Sequence, residues 1–78
     1  MMPVVTELTL NQGLYCGMVC LGDDVCQFEA NYDCSDITVF KTVEEQDFAY
    51  YPTNFAEHEA EVFAAITDAI QTRYPYAF

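Results

Sequence analysis

The chain has 78 residues, is 53% hydrophobic, and sets 13 carboxylates against two basic side chains, Lys41 and Arg73, for a formal net charge of −11. That apolar content is ordinary for a globular domain, so the charge belongs to a folded surface and not to a disordered polar chain. Such a surface repels nucleic acid and phospholipid headgroups, and no stretch reaches the ~18 apolar residues of a membrane span.

The length admits one domain, residues 1–78. The start, Met1-Met2-Pro3-Val4-Val5-Thr6-Glu7, lacks the basic and apolar regions of a signal peptide, so the expected location is the cytoplasm. There the four cysteines, Cys16, Cys20, Cys26 and Cys34, are expected to be reduced thiols.

The first half reads as short strands. Val4, Thr6, Leu8 and Leu10 alternate with Val5, Glu7 and Thr9, the period of a half-buried strand over residues 4–10. Asn11-Gln12-Gly13 supplies a turn, residues 14–21 a second strand, and Gly22-Asp23-Asp24 a second turn. Residues 25–32 form a third strand, Asp33-Cys34-Ser35-Asp36 a polar turn, and residues 37–43 a fourth strand. With loops of three, three and four residues, one face collects Val4, Thr6, Leu8 and Leu10, then Leu14, Cys16, Met18 and Cys20, then Cys26, Phe28, Ala30 and Tyr32, then Ile37, Val39, Lys41 and Val43, with only Thr6 and Lys41 polar. That set is the expected core face. It places Cys20 directly across from Cys26, close to disulfide spacing.

Residues 44–51 form an acidic, aromatic connection. Asn54 then stands as the helix N-cap, with Glu57 at the capping-box position. Phe55, Val62, Ile66, Ala69, Ile70 and Tyr74 recur at helical spacing, and Pro75 ends a helix over residues 55–74. The expected architecture is α+β: a four-stranded antiparallel meander with one C-terminal amphipathic helix packed on one face, ββββα.

On that helix Glu57, Glu61 and Asp68 lie opposite the apolar stripe, with Glu59 toward its flank. Glu57 and Glu61, four residues apart, repel by a few tenths of a kcal/mol, where a lysine at either position would gain about as much. Further acids gather at Asp23 and Asp24, at Asp33 and Asp36, and at Glu44, Glu45 and Asp47. Solubility and turn chemistry account for the turn aspartates. They do not account for the near absence of lysine and arginine. Complementarity to a basic protein surface does, and the commonest owner of such a surface is a protein that neutralises phosphates. Carboxylates about 6 Å apart on a helix face approximate the ~7 Å spacing of successive phosphates.

In size, charge and one-domain compactness, and in the acids just named, the chain resembles the small acidic DNA-mimic proteins of phages and mobile elements, many anti-CRISPR proteins among them. The resemblance implies an inhibitor acting in the host cytoplasm, seated on the nucleic-acid-binding site of a defence complex. Glu44, Glu45, Asp47, Glu57, Glu61 and Asp68 would supply the negative surface and Tyr50 and Tyr51 aromatic anchors. The alternative is an acidic immunity or accessory protein that binds a basic toxin or enzyme without imitating nucleic acid.

No set of residues suggests catalysis, a cofactor or a metal. His58 lies between two glutamates with no nucleophile placed beside it. Cys16 and Cys20 would stand about 13 Å apart along one strand, too far to share an ion. The chain is therefore read as a non-enzyme. The second sheet face, with Tyr15, Val19, Leu21, Val25 and Phe40 beside Glu7, Gln27 and Glu29, is more apolar than water requires, so it could pair two copies or grip a partner.

Overall fold

In the computed structural model, which describes residues 2–31, 34–43 and 48–75, the chain is an α+β domain with an antiparallel sheet and a C-terminal helical segment. The strands are β1 (Val4–Asn11), β2 (Leu14–Leu21), β3 (Asp24–Asn31), β4 (Ile37–Val43) and β5 (Phe48–Tyr50), ordered in the sheet as they are in the chain. The helices are α1 (Thr53–Glu57) and α2 (Glu59–Arg73). The meander is as expected, with a fifth strand where the sequence suggested only an acidic connection.

Both expected hairpin loops of three residues have two. Gln12 and Gly13 both take positive φ, 52° and 84°, as a type I′ turn requires. Gly22, with φ 65°, leads the second turn with Asp23. Asn11 therefore pairs with Leu14, and Leu21 with Asp24. Shortening each loop by one residue turns β2 over while leaving β3 and β4 as expected. Tyr15, Val19 and Leu21 are buried, and Leu14, Cys16, Met18 and Cys20 belong to the opposite face.

That inversion also removes the expected pairing of Cys20 with Cys26. Cys26 lies across from Val19 and Cys20 across from Val25, so their side chains leave opposite faces. All four cysteines are thiols.

The core lies between one sheet face and the helices. Leu8, Tyr15, Val19, Leu21, Cys26, Phe28, Ala30 and Val39 meet Phe55, Val62, Ile66 and Ile70. Full burial of each large aliphatic or aromatic side chain in that set contributes roughly 1.5–3 kcal/mol. Tyr74 tilts against Tyr15 with ring centroids 5.4 Å apart, closing the core where α2 ends. The helix lies nearest β1 and β2.

Gly17 permits the close approach of β1. A β-carbon there would collide with the Glu7 carbonyl oxygen and lie 2.8 Å from Phe28 Cζ. The Phe28 ring occupies the space that the missing side chain leaves, across the β2–β3 pairing. Next to it the β1–β2 register slips between Val5 and Glu7, making Thr6 the bulge residue.

The helix is not continuous. His58, with φ −115° and ψ 27°, separates α1 from α2, and its N–H donates to Phe55 O at 3.2 Å in a tighter turn. Asn54 does not cap the helix. The N-cap position is Pro52, which has no side-chain capping bond, and Asn54 sits inside α1.

Candidate partner-binding site

The two-residue turn at Gly22-Asp23 carries two adjacent carboxylates to the end of the sheet where the helices begin. Leu21, buried in the core, anchors the turn from below. Asp24 Oδ2 accepts a hydrogen bond of 2.5 Å from Asn54 Nδ2, tying this turn to α1. Asn54, inside α1 and past its N-cap position, uses its amide N–H on a charged acceptor across the fold.

His58 completes this corner. Its carbonyl accepts the first bond of α2, from Val62 N–H at 2.9 Å. Its Nδ1 lies 3.1 Å from Glu61 Oε2, one turn further on, and both side chains are substantially exposed. Leu21, Gly22, Asp23, Asp24, Asn54 and His58 line an open hollow of about 440 Å³. Asp23 and Asp24 thereby share one hollow with His58, which separately contacts Glu61 and has Glu57 and Glu59 as chain neighbours.

Tyr51 stands beside this corner. Burial raises its phenol pKa first, and the Glu59 carboxylate and the Cys26 thiol add to the rise. Tyr51 is still 40% exposed, and Tyr50, 43% exposed, lies across from Lys41 in the β4–β5 pairing.

The other expected site residues divide. Glu57 and Glu61 do not share one helix face at regular spacing, because the turn at His58 falls between them. Asp68 lies seven residues beyond Glu61, about 10 Å along the axis, and borders a second hollow with Val5, Thr6, Leu8, Ala69, Thr72 and Arg73. It belongs to the β1 side and not to the His58 corner. Glu44, Glu45 and Asp47 lie outside the described residues.

Asp23, Asp24 and Asn54 were not expected at the site. Only the length of the β2–β3 turn and the fold-back of α1 bring them there, and no spacing along the chain signals that meeting.

The nine described carboxylates, Glu7, Asp23, Asp24, Glu29, Asp36, Glu57, Glu59, Glu61 and Asp68, are all exposed. Among the described residues the one contact of a basic group with a carboxylate is that of the His58 ring with Glu61, and neither Lys41 nor Arg73 bridges to a described acid. Arg73 instead lies over the Tyr74 ring, 5.9 Å from its centroid. No three His, Cys, Asp or Glu side chains among the described residues converge as a metal site would require. No helix among them is long and apolar enough to cross a membrane.

The chain matches no family model, no curated protein and no solved structure. Its function is therefore argued from its own surface.

Proposed function

We propose that the chain is a non-enzymatic inhibitor that binds the basic nucleic-acid-binding surface of a target protein complex, as a DNA-mimic, anti-defence protein of the anti-CRISPR kind. The observation that carries this reading is the His58 corner. Asp23 and Asp24 line one hollow with His58, whose imidazole meets Glu61, no lysine or arginine lines it, and exposed Tyr51 lies near Glu59. Carboxylates with no lysine or arginine beside them accelerate association with a basic surface and make it sensitive to salt. Aromatic rings beside them supply the apolar contact that holds the encounter.

The proposal is tested by capture from a bacterial lysate at low and moderate salt, with mass spectrometry of the bound proteins. The expected partner is a nucleic-acid-binding complex that competing DNA or RNA displaces. A basic toxin or enzyme held equally well in the presence of nucleic acid overturns mimicry in favour of an immunity or accessory role.

A further inference from the structure

β1 is an edge strand, and its outer side pairs with no other strand among the described residues. The Thr6 bulge and the Gln12-Gly13 turn bracket a regular run in it, residues 7–11. The hydrogen-bonding phase of that run follows from the turn. A two-residue turn is closed by a bond from its first to its fourth residue, here Asn11 and Leu14, and bonded pairs alternate along an antiparallel ladder. Asn11 and Thr9 therefore direct their N–H and C=O toward β2. Leu8 and Leu10 direct theirs to the open edge.

We propose that residues 7–11 pair with the same run of a second copy of the chain, antiparallel about a two-fold axis at Thr9. The outward groups permit few registers. An axis at Leu8 drives the pairing into the bulge, and an axis at Leu10 drives it into the turn. Centred on Thr9, the overlap uses the whole run. Leu8 then exchanges both backbone bonds with Leu10 of the second copy, Thr9 faces Thr9, and Glu7 faces Asn11.

Each of those pairs is compatible. A threonine pair across strands is favourable, and no two like charges stand opposite each other. Leu10, 47% exposed in the single chain, would be covered by Leu8 of the second copy on the helix-bearing face. A two-fold of this kind uses one surface twice, as isologous dimers do. Five residues bury less than a standard interface, so the dimer is populated at high protein concentration. The net charge of −11 on each copy opposes it at low salt.

This inference does not rest on the partner proposed above, and salt separates the two. Screening strengthens an association opposed by like net charge, whereas it weakens one driven by opposite charges. The test is sedimentation velocity combined with amide hydrogen exchange, from low micromolar to near-millimolar protein, at low and high salt.

The expected result is a dimer that grows with concentration and with salt, accompanied by slower exchange at the Leu8 and Leu10 amides. Thr9→Glu sets two carboxylates opposite each other on the axis and should weaken the dimer roughly fivefold or more. Leu10→Lys, at an exposed position, should do the same, and serves if Thr9→Glu disturbs the fold. A chain that stays monomeric throughout overturns the proposal. So does a dimer indifferent to both substitutions, which would place the contact on the open sheet face. Protection of Leu8 and Leu10 that appears only when a basic partner is added overturns it as well, because the edge then receives the partner's strand.

Discussion

Asn54 reaches across the fold to Asp24, and this side-chain hydrogen bond joins the β2–β3 turn to the first helical turn. It holds one acidic corner of the molecule together from two segments 30 residues apart. Both side chains are at least partly in water, so its worth is modest. Asn54→Ala should lower stability by about 0.5–1 kcal/mol and, on the proposed function, loosen partner binding by a similar factor in free energy. Urea unfolding and titration with the captured partner measure the two separately. A loss of stability with no change in affinity would detach this turn from the binding surface.

Charge reversal addresses the corner directly. Glu57→Lys with Glu61→Lys changes the local charge by four and should abolish binding to the basic partner while the domain stays folded. Asp36→Lys, in the β3–β4 connection, changes the net charge by two and should weaken association only slightly. Calorimetric titration at two salt concentrations distinguishes a local contact from a general field. Equal effects of the two changes, scaled by charge, would mean that the field alone binds.

Gly17 predicts a backbone effect. Gly17→Ala places a methyl group against the Glu7 carbonyl and the Phe28 ring, and both contacts must be relieved. The expected cost is about 1–3 kcal/mol, typical of overpacking. Gly13→Ala meets no atom within 4 Å but must keep φ at +84°, so its cost of about 1 kcal/mol is conformational. The denaturant midpoints of the two variants, read side by side, check that order.

Two groups contribute to the alkaline dependence of stability. Burial raises the Cys26 thiol pKa, Lys41 opposes the rise, and Asp24 adds to it. Tyr51 is raised by burial and by Glu59. Both groups hold their protons more tightly folded than unfolded. Their contribution is complete below the ordinary thiol and phenol values, and is lost as pH climbs through them toward the folded values. Thermal unfolding should therefore be insensitive to these groups near neutrality, with the midpoint falling above about pH 9. Alkylation at neutral pH should be slower at buried Cys26 than at half-buried Cys16 or Cys20, as peptide mapping would show. Equal rates would mean that β3 opens readily.

Local pattern was sufficient for much of the fold. Alternation gave the four long strands. The 3.6-residue recurrence of Phe55, Val62, Ile66 and Ile70 gave the buried helix face, and all four side chains are buried. These signals survive because burial of one face imposes its period on the sequence wherever the chain runs regularly. The break at His58 carries no such mark. No glycine or proline lies between Phe55 and Val62, and the i to i+3 bond at His58 replaces the regular one without changing the apolar spacing.

The sequence by itself determined the α+β class, the excess of negative charge and the exposure of the described acids, because composition and periodicity are local properties. Tertiary structure decided which face of β2 is buried and which acids meet. The first turned on one residue in each hairpin loop: positive φ at Gln12, Gly13 and Gly22 makes both turns two residues long, and period-2 geometry converts that into a complete exchange of faces. The second turned on distance in space. Asp24 and Asn54, 30 residues apart, come together because α1 folds back to the β2–β3 turn, a placement set by burying Phe55 and Leu21 in one core.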